Sequence, residues 1–128
     1  MNPHLILYTM GNYLMFFAFC FFPSILWALS AIMEDPQNRA EQKMLNVFGL
    51  TFLVIFHLGL FFKGLARKQG KGNQFTKKEG LFTVSLIWIF SGILGACPFY
   101  FSGYIPGFIS ALFESISGFT TTGATVLS

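Results

Sequence analysis

The sequence predicts an all-α integral membrane protein, and three observations carry that reading. Apolar residues make up 54% of the chain and charged residues only 10%, against about 25% charged in an ordinary soluble domain. The apolar residues gather in three blocks, two near the length of about 20 residues that a spanning helix needs and the first longer. Eighteen phenylalanines exceed what a soluble core of this size would use. The bilayer, not water, is therefore expected to set the fold.

The first block runs from about Leu5 to Met33 and fits one tilted spanning helix. Pro23 lies inside it and is expected to kink it, because proline lacks an N–H and its ring crowds the preceding turn. A cleavable signal peptide is the rival reading, since Ala28-Leu29-Ser30 has a cleavage-like pattern. No Lys or Arg precedes the block and the apolar run is too long, which favours a retained helix. A polar connector follows from Glu34 to Lys43, in which Pro36 is expected to stop any helix. The second block spans about Met44 to Phe62. A basic connector comes next, with Lys63, Arg67, Lys68, Lys71, Lys77 and Lys78 around Gly70 and Gly72. The third block covers about Gly80 to Phe101, and a short turn from Ser102 to Pro106 closes it.

Charge sets the expected topology. The Lys63–Lys78 connector has six basic residues and no acidic one, while Glu34–Lys43 has two basic and three acidic. Lys and Arg in short loops mark the cytoplasmic side. The N-terminus and the basic connector are thus expected inside, and the third helix is expected to end outside. Trp27, Tyr100 and Tyr104 fit an outer aromatic belt. Trp88 falls mid-helix and is expected to pack against protein. Gly92 and Gly95 in the third helix allow close helix approach.

The most informative stretch follows. Pro106 to Gly118 reads as a helix too short to span, of a length expected for re-entrant or buried segments. Phe119-Thr120-Thr121-Thr122-Gly123-Ala124-Thr125 is a poor helix, since Thr is β-branched and Gly permissive. Non-helical backbone at membrane depth survives only where protein buries it or where it lines a watery path. A dehydrated cation can recover its lost water ligands from backbone carbonyls, as in T-V-G-Y-G filters. Thr121-Thr122-Gly123-Ala124-Thr125 would take that place, with Gly123 free to turn successive carbonyls toward one axis. The helix before the strand aims its partly negative C-terminus at the path, which favours a cation. The bland alternative is an extramembrane Thr/Gly turn after an amphipathic helix.

The run Phe113-Glu114-Ser115-Ile116-Ser117-Gly118-Phe119-Thr120-Thr121-Thr122-Gly123-Ala124-Thr125 closely resembles the first pore-loop signature of the bacterial TrkH/KtrB potassium-transporter family. Lys78-Glu79-Gly80 and Gly95-Ala96-Cys97-Pro98-Phe99 look like the positions that precede that loop. The resemblance is good from about Lys77 to Leu127; the first seventy residues agree in hydropathy pattern more than in residues. It implies three transmembrane helices, one re-entrant pore helix and an extended selectivity-filter strand. Residues 1–69 would hold an N-terminal helix pair and the start of the basic connector. Residues 70–128 would hold the first pore repeat, stopping before its second transmembrane helix. Thr120, Thr121, Thr122, Gly123 and Ala124 would line the K⁺ path, with Glu114, Gly118 and Thr125 as support. Glu114 is expected to brace the filter by accepting backbone N–H bonds rather than to ligate the ion. The resemblance further implies three more pore repeats, a homodimer, and a cytosolic nucleotide-binding regulatory subunit of the TrkA/KtrA type. It places the protein in the plasma membrane of a bacterium or archaeon, the inner membrane if Gram-negative, with the pore loop entering from outside. K⁺ would be cargo, and no bound cofactor is implied.

Other readings are weaker. His57 sits in the second block without an acidic or Cys partner there, and is expected to be a neutral histidine bonded to a neighbouring helix. Cys20 and Cys97 lie in apolar runs and read as small hydrophobes, neither a disulfide framework nor a metal site. Ser110, Ser115 and Ser117 lack a G-x-S-x-G elbow or triad spacing, so an enzyme is not expected. No basic face is interleaved with stacking aromatics, which argues against nucleic acid. The basic connector could equally face a regulatory partner or anionic lipid. One loop supplies one side of an ion cage, so the 128 residues are not expected to conduct alone. The competing functional class is a small non-conducting membrane protein with an assembly or binding role, or a gene remnant.

Overall fold

The computed structural model describes residues 2–66 and 74–126, and five helices account for most of them. They are α1 (Pro3–Phe19), α2 (Phe22–Glu34), α3 (Arg39–Ala66), α4 (Lys77–Ser102) and α5 (Phe108–Phe119). Three stretches are long and apolar enough to cross a membrane: α1 with α2 over Pro3–Glu34, then α3, then α4. The expected all-α membrane architecture is what the chain adopts, and no β-strand occurs among the described residues. Arg67, Lys68 and Lys71 of the basic connector, the expected boundary at 69/70, and Leu127 lie outside the described residues.

The first span is broken rather than merely bent. α1 stops at Phe19, two i→i+3 bonds (Cys20 N–H to Phe17, Phe21 N–H to Ala18) tighten its end, and α2 restarts at Phe22. Pro23 then occupies the first turn of α2, the one part of a helix where a missing N–H costs nothing. The break sits two residues upstream of the proline because the ring crowds the carbonyl four residues before it. α2 ends at Glu34, and Asp35, just before Pro36, is already extended.

The ends of α3 and α4 are specified locally. The Asn38 side chain accepts from the N–H groups of Ala40 and Glu41 at 3.1 and 3.4 Å, opening α3. Thr76 and Glu79 form a reciprocal capping box at the start of α4. The Asn2 N–H also donates to the Glu79 carboxylate, so one acidic side chain ties the start of α1 to the start of α4. At the other end of α4, Gly103 takes a left-handed conformation (φ 81°) and closes the helix.

Small residues set the helix spacing. A Cβ on Gly11 would lie 2.8 Å from the Gly59 carbonyl oxygen and 2.6 Å from Lys63 Cγ. A Cβ on Gly59 would lie 2.9 Å from Met15 Cγ. The backbones of α1 and α3 therefore approach as closely as only glycine permits. Leu14, Phe17, Ala18 and Ile55 fill the adjoining core, with Phe90 and Leu94 of α4 against it. The Tyr13 and Ser91 hydroxyls meet between α1 and α4. Outside this core Leu26, Trp27, Met33, Leu50, Phe61 and Leu81 are exposed, an outer apolar surface suited to hydrocarbon rather than water.

The Gly11–Gly59 crossing generates a controlled test. Gly59→Leu should lower the thermal midpoint of the detergent-purified protein, since overpacking a well-filled contact costs about 1–3 kcal/mol. Gly64→Leu, on the same helix with nothing within 4 Å of its would-be Cβ, should be neutral or slightly stabilising, because Gly is about 1 kcal/mol worse than good helix formers. Equal midpoints for the two variants would contradict the close crossing.

Candidate functional site

α5 has only 12 residues, about 18 Å at 1.5 Å per residue, too short to cross hydrocarbon. It begins beside the end of α4, where Phe108 meets Tyr100, and it leans back against α4. A Cβ on Gly92 would lie 3.0 Å from Ile116 Cγ1, and one on Gly95 would lie 2.4 Å from Ser115 Oγ and 2.7 Å from Phe119 Cε2. Both glycines thus admit the close approach expected of them. The end of α5 lies level with Gly92 and Gly95, roughly 10–15 Å along α4 from its Ser102 end. Phe119 also meets Phe17 of α1 at 5.7 Å between ring centres. The helix ends, in other words, partway along the spans.

The chain leaves α5 through a tight reversal. Thr120 N–H reaches the Ile116 carbonyl (2.9 Å), Thr121 N–H that of Gly118 (3.3 Å), and Thr122 N–H that of Ser117 (3.1 Å). The last two form a Schellman pair, which places its left-handed residue at Thr121. Thr121 has φ 56°, a genuine outlier for a β-branched side chain. The terminal carbonyls of α5 are thereby taken up by the loop's own N–H groups.

Gly123 is left-handed as well, with φ 73°. Nothing lies within 4 Å of a Cβ built there, so its need for glycine is conformational rather than a matter of space within this chain. Ser117 Oγ donates to the Ala124 carbonyl at 2.5 Å. Thr120 and Thr122 hydroxyls are 2.8 Å apart, and Thr120 Oγ1 also reaches the Ile116 carbonyl at 2.8 Å. Glu114 receives the Thr125 hydroxyl at 2.9 and 3.0 Å and the Val126 N–H at 2.9 Å. Glu114 and Thr125, paired in the sequence reading only as support, are therefore in direct contact. Gly118 contributes its carbonyl; its Cα faces open space. In the sequence Ser117 draws notice only as a nucleophile candidate that lacks triad spacing; its bond across the turn to Ala124 is a feature that only three dimensions reveal.

Thr120–Ala124 are exposed and do not line the cavity beside α5. That cavity, a cleft of about 1010 Å³, runs beside α5 between the α1–α2 break (Phe17, Cys20), α4 (Trp88, Gly95) and α5 (Glu114, Gly118). Trp88 borders it and is 53% exposed, so this indole is not packed among the described helices as the sequence suggested. His57 corrects a second expectation. Its Nδ1 bonds the Leu53 carbonyl of its own helix at 2.7 Å rather than a neighbouring helix, the usual i−4 outlet for a polar side chain in an apolar helix.

The chain is 34% identical over 107 residues to the Trk system potassium uptake protein TrkG of Escherichia coli, covering 80% of this chain. It is 43% identical over 100 residues, or 77% of this chain, to TrkH of the same organism. TrkH of Halomonas elongata matches 128 residues, 99% of this chain, at 28% identity. The chain belongs to the TrkH/KtrB family. It spans only about a fifth to a quarter of the length of these curated relatives, 22%, 19% and 24%. No family model and no solved structure matches it.

The Glu114 contacts predict a local effect. In Glu114→Ala the Val126 N–H and the Thr125 hydroxyl lose a charged acceptor, and hydrogen exchange at Val126 should speed by about fivefold, the equivalent of roughly 1 kcal/mol for a partly exposed bond. Amide exchange within α3 should not change. Unaltered protection at Val126 would show that Glu114 does not hold the strand.

Proposed function

We propose that this chain supplies one filter segment of a potassium uptake transporter. The observation that carries the reading is the left-handed Gly123, set between two ties to a half-helix that ends partway along the spans. A chain held this way can turn consecutive carbonyls to one side, where they replace the water ligands of a dehydrated cation. The half-helix directs its negative end toward that region. The names of the relatives, all from Trk potassium uptake systems in the three cases above, support K⁺ as the cargo.

On this reading Thr120, Thr121, Thr122 and Gly123 line the path and Ala124 closes the run, while Glu114, Gly118 and Thr125 support it. Glu114 acts as a brace and does not touch the ion. The protein catalyses no covalent chemistry. A K⁺ filter needs strands around an axis, so one strand supplies one wall, and three more such repeats complete the cage. The assembled transporter is a homodimer served by a cytosolic nucleotide-binding subunit of the TrkA/KtrA type.

The protein resides in the plasma membrane, with its N-terminus inside. The charge difference between the Glu34–Lys43 and Lys63–Lys78 connectors supports that orientation. The N-terminus and the start of α4 share one end of the bundle, where Asn2 meets Glu79, and Lys43 approaches Gly103 at the other. The loop after α4 then enters from the outer side.

The test is uptake by the full-length gene product in a host lacking its own K⁺ uptake. Wild type should restore growth at low K⁺. Gly123→Ser and Gly123→Ala place a side chain at φ 73°, a strain of about 1–3 kcal/mol, and should lower K⁺/Na⁺ discrimination by roughly tenfold or more. Unchanged uptake and selectivity in both variants would sink the assignment.

A further inference from the structure

Ser117 touches the loop twice, once on each side of Gly123. Its main-chain carbonyl accepts the Thr122 N–H at 3.1 Å. Its hydroxyl donates to the Ala124 carbonyl at 2.5 Å. The side chain is buried, 6% exposed, on the one helix that ends at the loop. Four serines in these helices spend their hydroxyl on their own helix: Ser30, Ser85, Ser91 and Ser102 bond carbonyls three or four residues back. Ser117 instead reaches seven residues forward, past the turn.

The consequence concerns which carbonyls are available. A hydroxyl has one proton to give, and this one goes to the Ala124 oxygen. That oxygen is thereby turned toward α5. The Thr122 N–H is drawn to the same residue from the other direction. Gly123, left-handed between the two ties, is the only position left to absorb the change in direction.

We propose that Ser117 is a positioning residue for ion selection: its hydroxyl withholds the Ala124 carbonyl from the ion path and thereby fixes the orientation of the Gly123 carbonyl. This rests on the potassium-filter reading above. Ala124 is then a supporting position, and the ion-ligating carbonyls are those up to Gly123. Removing the hydroxyl leaves the Thr122 tie in place, since that bond is made by the main chain. It frees the Ala124 peptide to rotate and offer its oxygen to the path.

The experiment measures K⁺ uptake, Na⁺ competition and Rb⁺ transport in the full-length gene product, normalised to the amount of protein in the membrane. Wild type is the first arm. If it transports no K⁺, the filter reading fails, independently of Ser117. With an active wild type, S117A should lower K⁺/Na⁺ discrimination by about tenfold, the scale of one lost hydrogen bond to a buried carbonyl. S117T, which keeps the hydroxyl, should stay within about threefold of wild type, a margin below one such bond. A merely structural serine would change protein amount and leave the ion ratios alone. The proposal is overturned if S117A keeps wild-type ratios, or if S117A and S117T lose discrimination equally. Should S117A fail to accumulate, S117C keeps the volume with only a weak donor, and wild-type ratios in that variant overturn the proposal as well.

Discussion

Backbone that leaves a helix must find new partners for its N–H and carbonyl groups, and the bonds around residues 120–126 answer that constraint. Each unmet N–H or carbonyl in hydrocarbon costs several kcal/mol. The half-helix α5 meets most of the need itself. Its last carbonyls accept three N–H groups of the turn, Ser117 takes up a carbonyl further on, and Glu114 reaches the Val126 N–H. The loop is thus stabilised almost wholly by the helix immediately before it. A short sequence can specify such a unit without help from distant segments.

That unit must itself be held at a fixed depth, and glycine provides the means. α5 is too short to be placed by the bilayer, so it is placed by α4. Gly92 and Gly95 remove the side chains that would hold the two backbones apart, and Ile116, Ser115 and Phe119 fill the space. α4 in turn is tied to α1 through the Asn2–Glu79 and Tyr13–Ser91 bonds. α1 is locked to α3 at Gly11 and Gly59. The same device, backbone contact at small residues, recurs because lipid offers no hydrophobic drive toward helix association and close van der Waals contact must supply it.

Features governed by local composition were legible in the sequence. The three spans, the stop before Pro36, the short turn after α4 and the short final helix all follow from apolar runs, proline and glycine. Gly92 and Gly95 were legible as points of close helix approach, though not that α5 would be the helix to approach them. The crossing at Gly11 and Gly59 was not, because a glycine in an apolar block carries no mark of which neighbour it faces. The break after Phe19 was displaced from Pro23, since proline disturbs the turn before it rather than its own position. His57 found its acceptor one turn back on α3, which no pattern of neighbouring charges could reveal. At the candidate site the Thr/Gly run and Glu114 stood out by residue type. Ser117 did not: a serine in a helix usually bonds its own backbone, and only the turn at Thr121 brings Ala124 within reach.

Thr121 breaks a local rule most plainly. A Schellman turn places glycine at the left-handed position in most proteins, and glycine there would relieve about 1–3 kcal/mol of strain. The chain carries a β-branched residue instead, one position after a Thr and one before another. The strain is confined to the turn, because the flanking N–H groups are bonded and Thr122 is already held by Ser117. A glycine at 121 would let two of three consecutive peptides rotate, since Gly123 is already free to do so. A threonine at 121 leaves Gly123 as the sole pivot. The loop therefore gives up stability for definition, as the proposed filter role would require at a point where the orientation of a single carbonyl selects the ion. Such a trade is intelligible where a ligand is chosen by geometry, and has no evident use in an ordinary connecting turn.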